Sequence, residues 1–252
     1  MIKKVSLEVI SSQYIAKDTV EMVLKNDYIS QQAVPGQFLH ISVVGHTLRR
    51  PISIAAVDTH KETITILFKV IGLGTQTLAN YQVGNFVDVL GPSGNGFPIE
   101  QLSGEDTVLL IGGGIGVPPL YYLGTALKER GVKVQSIIGF QSEAYVFYEQ
   151  AFQQLGDTYV VTNDGSYGYK GFVTDVVDKI APFDTYFSCG PVPMLQAVTN
   201  TFPDKKGYLS FEERMGCGVG ACLACVIETN DDTGYKKICQ DGPVFQANEV
   251  KI

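Results

Sequence analysis

Four of the five cysteines in this 252-residue chain crowd towards its end, where Cys217, Cys222, Cys225 and Cys239 read C-x4-C-x2-C-x13-C. Three thiolates within nine residues, on a loop that also carries Gly216, Gly218 and Gly220, can wrap a small metal centre. The fourth thiolate arrives from a hairpin. Glycines let backbone amides approach the sulfurs, and hydrogen bonds of that kind tune a redox potential. The order is the plant-type spacing for a [2Fe–2S] cluster. A structural zinc site is the competing reading, although zinc ribbons and knuckles favour paired C-x2–4-C units separated by a longer gap. An odd, clustered set without an export signal argues against a disulfide framework.

Two further patterns suit phosphate. Gly112-Gly113-Gly114-Ile115-Gly116-Val117-Pro118 follows an apolar run and opens a helix. Without side chains the backbone can lie against a pyrophosphate whose charge the helix N-terminus favours. It is not a standard G-x-G-x-x-G, because Pro118 takes the last glycine's place, and no acidic residue stands at the expected ribose position. Asn163-Asp164-Gly165-Ser166 is the candidate ribose loop, and the lack of a basic pair there favours NAD(H) over NADP(H). Earlier, a strand begins Arg49-Arg50-Pro51-Ile52-Ser53, Arg50 offering a planar fork of donors and Ser53 a hydroxyl two residues beyond Pro51 on the same face. Ile71-Gly72-Leu73-Gly74-Thr75 then begins a helix with amides and a hydroxyl for a second phosphate.

The elements that position these groups fall into three regions, taken as 1–100, 101–207 and 208–252. In the first, Val5, Leu7 and Val9, and later Ile64, Ile66, Phe68 and Val70, alternate with partners of opposite facing, which predicts strands. With Thr19–Leu24, Phe38–Val44, Ile52–Val57 and Phe86–Leu90 they make about six strands, enough for a small antiparallel barrel. The turn-rich stretch 91–97 ends this region. Thereafter Thr107–Ile111, Val132–Gly139, Thr158–Thr162 and Thr185–Cys189 read as strands. Pro118–Arg130, Ser142–Leu155, Phe172–Ile180 and Pro191–Thr201 read as the helices between them, a rhythm that predicts a parallel sheet with crossovers. The last region is short and holds the cysteines.

Composition narrows the classes. With 26 acidic and 19 basic residues the charge is −7, and no basic run offers a nucleic-acid footprint. Thr107–Leu127 is uncharged, but its glycines and Pro118-Pro119 argue against a continuous membrane helix, so a cytoplasmic protein is expected. His40, His46 and His60 are expected at the surface or as satisfied core residues. Glu212-Glu213 reads as a charged hinge or partner-facing surface. No site for an organic substrate emerges.

Arg-Pro-x-Ser, Gly-x-Gly-Thr, Gly-Gly-Gly-x-Gly-x-x-Pro and Cys189-Gly190-Pro191 together resemble the ferredoxin–NADP reductase superfamily. The cysteine quartet narrows the resemblance to the electron-transfer subunits of B-type dihydroorotate dehydrogenases, across essentially the whole chain. The resemblance implies FAD held by Arg50, Pro51, Ile52, Ser53, Leu67, Phe68, Lys69, Gly74 and Thr75. NAD(H) would be met by Gly112, Gly113, Gly114, Gly116, Asn163, Asp164 and Cys189, and a [2Fe–2S] cluster by the four cysteines. It further implies an FMN-containing catalytic partner, a two-plus-two heterotetramer, and electron flow from FMN through cluster and FAD to NAD⁺ in pyrimidine biosynthesis. The chain departs from the superfamily in having Pro51 for a tyrosine and no C-terminal aromatic, so the flavin face is expected to be covered otherwise, with a partner as one source. Subunits of NAD-linked ferredoxin oxidoreductases or sulfide dehydrogenases, oxygenase reductases and a zinc-stabilised nucleotide-binding module are the alternatives.

Overall fold

A computed structural model describes residues 1–252. The first unit contains β1 (Lys3–Ala16), β2 (Thr19–Lys25), α1 (Asp27–Gln32), β3 (Phe38–Ile41), β4 (Arg50–Asp58), β5 (Thr63–Lys69), α2 (Leu73–Ala79) and β6 (Phe86–Ser93). Its six strands close into an antiparallel barrel in the order β1-β2-β5-β4-β3-β6. The period-two pattern accounts for this closure. Leu7, Val9, Met22, Leu24, Leu39, Ile41, Ile54, Ile64 and Ile66 point inward to one buried cluster, and the residues between them face outward. The short α1 has no legible periodicity. It is fixed by Asn26, whose side chain accepts the Ile29 amide at 2.9 Å.

The second unit follows with β7 (Thr107–Gly113), α3 (Val117–Glu129), β8 (Lys133–Phe140), α4 (Glu149–Gln153), β9 (Gly156–Thr162), β10 (Tyr169–Lys170), β11 (Thr185–Cys189), α5 (Val192–Thr201) and β12 (Lys206–Ser210). The hairpin β13 (Val226–Glu228) and β14 (Tyr235–Lys237) and the strand β15 (Val244–Gln246) complete the chain. The large sheet runs β10-β9-β8-β7-β11-β12-β15, parallel throughout except where β15 joins β12 antiparallel. The third region is therefore built onto the second: the boundary expected at 207/208 falls inside β12, and β15 extends the same sheet.

Two expected helices differ. Ser142–Leu155 is broken into a 3-10 turn at Glu143–Tyr145 and the short α4, with Tyr148 between them at φ +62°. The break lets Phe147 reach the core, where its ring meets Phe140 edge-on at 5.1 Å. Phe172–Ile180 forms only a 3-10 segment, Val173–Lys179, because Val173, Thr174, Val176 and Val177 are β-branched and weak α-helix formers. The uncharged Thr107–Leu127 stretch divides into β7, a tight turn and α3, and no helix is long and apolar enough to cross a membrane.

Candidate cofactor and nucleotide sites

On the outer face of the barrel a cleft of about 380 Å³ is lined by Arg50, Pro51, Ile52 and Ser53 of β4, Leu67, Phe68 and Lys69 of β5, and Thr75 of α2. Gly74 does not line the cleft. A Cβ there would run into the Arg50 guanidinium, so glycine lets the arginine lie flat on the first turn of α2. The Thr75 hydroxyl accepts the amides of Ile71 at 3.1 Å and Gly72 at 3.2 Å, fixing that turn. Cationic and hydroxyl donors at one end, with apolar Leu67, Phe68, Ile115 and Met215 elsewhere, suit a ligand with a phosphate end and a flat apolar end.

The cleft has an opposite wall. It is supplied by the chain itself, by Phe211, Glu212, Glu213, Arg214 and Met215 running from β12 towards the cysteine loop, and by Pro243. Glu212 and Glu213 are exposed, as expected, and also line the cleft. The Glu212 carboxyl keeps solvent access through the open cleft, yet it sits deep enough that desolvation pushes its pKa up to about 7, against the pull of Lys69.

A second cavity of about 490 Å³ opens at the carboxyl ends of β7 and β11, where the strand order reverses. That is the usual binding position in open parallel sheets. Gly113, Gly114 and Asn163 line it with Phe140, Tyr145, Phe172 and Met194, and Lys69 lines both this cavity and the first. Gly114 takes φ +54°, and Gly116 backs onto the Cys189 carbonyl so closely that a Cβ would collide with it. Gly112 packs under Val117 of α3. Cys189 and Asp164 lie outside the lining. The Cys189 thiol is fully buried, and desolvation raises its pKa, keeping it protonated. The Asp164 carboxylate is occupied by the Ser166 amide at 2.9 Å and hydroxyl at 2.6 Å.

The four clustered cysteines come into one neighbourhood. Cys217 accepts the Cys222 backbone amide at 3.4 Å, and the Cys239 thiol feels both Cys225 and Cys217. Further amides point inward, from Val219 to Cys217 at 3.5 Å and from Gly220 to Cys239 at 3.2 Å. The Val219 and Cys222 amides lower the Cys217 pKa to about 6, while burial pushes Cys239 up to about 12. No three metal-binding side chains converge on a single point as a mononuclear ion requires. Gly218 and Gly220 take φ +69° and +77°, which shapes the loop so that its amides face the sulfurs.

One buried residue departs from expectation. His46 is half-buried near Thr77 and His60 is exposed, but His40 is completely buried and neither of its ring nitrogens has a partner. Desolvation and the Arg49 guanidinium push its pKa down to about 4, so the ring is neutral at pH 7. The sequence signals also missed Phe211–Met215 as a cleft wall, since an acidic pair in a loop normally marks a solvated surface.

Residues 6–97 match the family described as oxidoreductase FAD-binding domain, and residues 212–251 match the iron-sulfur cluster binding domain of dihydroorotate dehydrogenase B. The dihydroorotate dehydrogenase B (NAD(+)) electron transfer subunit of Shouchella clausii is 50% identical over 99% of both chains. That of Bacillus cereus is 51% identical over 100% of both. Among solved structures, an NADH-dependent reduced ferredoxin-NADP oxidoreductase that performs flavin-based electron bifurcation aligns with TM-score 0.87 and 29% identity, covering 97% of this chain and 89% of that one. The cytochrome b5 reductase domain of Ulva prolifera nitrate reductase shares the fold, with TM-score 0.64 and 18% identity over 77% of this chain and 89% of that one. The barrel, the switch-point cavity, the cysteine loop and this full-length identity place the chain in the family of dihydroorotate dehydrogenase B electron transfer subunits.

Proposed function

We infer that this chain carries electrons between a dihydroorotate-oxidising catalytic subunit and NAD⁺ in pyrimidine biosynthesis, holding FAD in the barrel cleft and a [2Fe–2S] cluster in the cysteine loop. The observation that carries the reading is the placement of the three sites. The barrel cleft lies between the other two, sharing Lys69 with the switch-point cavity and the Phe211–Met215 wall with the approach to the cysteines. FAD supplies the conversion between the two-electron hydride of NAD(H) and the one-electron capacity of the cluster.

The chain's own residues then have distinct tasks. Arg50, with Ser53, Gly74 and Thr75, anchors the phosphate end of FAD. Pro51, Ile52 and the edge of β5 from Leu67 to Lys69 form the bed of its ring system, and Phe211–Met215 excludes water from the other side. Gly112, Gly113, Gly114 and Gly116 let a dinucleotide approach the start of α3, with Asn163 at the ribose end; Lys69 faces the junction. Asp164 and Cys189 act through the shape of their turns, since neither faces the cavity. Cys217, Cys222, Cys225 and Cys239 would hold the cluster, with the Val219, Gly220 and Cys222 amides turned towards the sulfurs of Cys217 and Cys239. The remaining reaction balances simply: dihydroorotate loses two electrons and two protons at the partner, NAD⁺ gains a hydride, and one proton is released.

The units are assigned as 1–100, 101–207 and 208–252, the last anchored to the sheet of the second through β12 and β15. The partner is an FMN-containing catalytic subunit in a two-plus-two heterotetramer in the cytoplasm. Purified anaerobically, the chain should hold one FAD and two irons, and NADH should bleach its flavin. Zinc without visible absorption would overturn the redox assignment.

A further inference from the structure

We propose that His40 is a positioning residue of the electron path, its ring N–H donating to a sulfur of the cluster held by the Cys217 loop. The inference rests on the reading of the four cysteines as cluster ligands. Strand register puts His40 between the two cofactor regions. In β3, Leu39 and Ile41 point into the barrel core, so Phe38 and His40 point outward. Their partners across the ladder, Ser53 opposite Phe38 and Pro51 opposite His40, both line the barrel cleft, as does Phe38 itself. On its other side the His40 ring packs on Gly218, the residue after Cys217. A Cβ on Gly218 would overlap that ring, so only glycine lets the cysteine loop settle on it.

The ring is chemically incomplete where it stands. It is fully buried, both nitrogens lack a partner in the chain, and a neutral imidazole has one donor and one acceptor to satisfy. Arg49 engages only the His40 backbone carbonyl, at 3.1 Å, and leaves the ring free. A thiolate or bridging sulfide is the acceptor that the adjacent loop is built to carry. Donation to such a sulfur withdraws electron density and favours the reduced cluster, so the bond raises its potential. The same ring closes the space between cleft and loop, which keeps water out of the path.

The test uses the complete complex, in which this chain alone is labelled with ¹⁵N-histidine and assembled with an unlabelled catalytic partner, then reduced so that the cluster is paramagnetic. A His46→Gln, His60→Gln double variant leaves His40 as the sole labelled ring, and pulsed EPR should then show a ¹⁵N coupling to the cluster. His40→Leu should lose that coupling and shift the cluster potential to a more negative value. His40→Asn, which keeps a donor at the Nδ1 position, should restore most of the shift. An iron-loaded cluster with no ¹⁵N coupling in the double variant overturns the proposal, whether or not His40→Leu folds. So does an unchanged potential in a fully loaded His40→Leu complex. A chain containing no iron or sulfide overturns instead the ligand reading on which the proposal stands, and takes the proposal with it.

Discussion

At the residue scale, burial and a few close approaches decide what each side chain can do. Arg50 lies flat because Gly74 has no Cβ, so Arg50→Ala should lower FAD retention by roughly tenfold or more, the worth of one charge-assisted hydrogen bond, and Gly74→Ala should do the same by displacing the guanidinium. Flavin content after gel filtration is the readout. Cys222→Ser should abolish the iron–sulfur absorption while leaving FAD bound, because none of the four cysteines lines the barrel cleft. Glu212 gives a pH effect with a definite sign. Its carboxyl titrates near pH 7, so above that pH it is a fixed negative charge beside the cleft, and adding electrons there becomes less favourable. The flavin potential should therefore fall more steeply with pH above about 7 than in Glu212→Gln, where the extra slope should vanish in a potentiometric titration. Equal slopes in the two proteins would remove Glu212 from the site.

At the element scale, the chain's periodicities and turns set most of the architecture. Period-two alternation marked the barrel strands because each has one face in a closed core, and the glycine run marked the β7–α3 turn because the backbone must pass there without side chains. Gly116→Ala forces a Cβ onto the Cys189 carbonyl, and should destabilise the second unit by about 1–3 kcal/mol in denaturant unfolding. What was not legible depended on contacts distant in sequence. The break at Tyr148 exists so that Phe147 can reach Phe140, and β15 is placed by pairing with β12 across a span that includes the whole cysteine loop. Residues 211–215 carry no local sign that they wall a cleft; only the turn from β12 back towards the barrel puts them there. His40 looked like any core histidine, because the loop that packs on it lies almost 180 residues away.

At the scale of the whole molecule, the three sites lie on two linked sheets of one chain. The barrel cleft touches the switch-point cavity through Lys69 and is walled by Phe211–Met215 on the side that leads to the cysteines, an arrangement that suits the proposed order of nucleotide, flavin, cluster and partner. Val219 and Leu223, 48% and 62% exposed within the cysteine loop, leave that end apolar and open. The central claim is that electrons from dihydroorotate reach NAD⁺ only through this chain. The most direct measurement is anaerobic NAD⁺ reduction by dihydroorotate, comparing the catalytic subunit alone, the complex, and the complex with Cys222→Ser. The account predicts NADH formation only in the intact complex, with the catalytic subunit still able to pass electrons to an artificial acceptor in all three. NADH formed at an undiminished rate by the Cys222→Ser complex, or by the catalytic subunit alone, would contradict it.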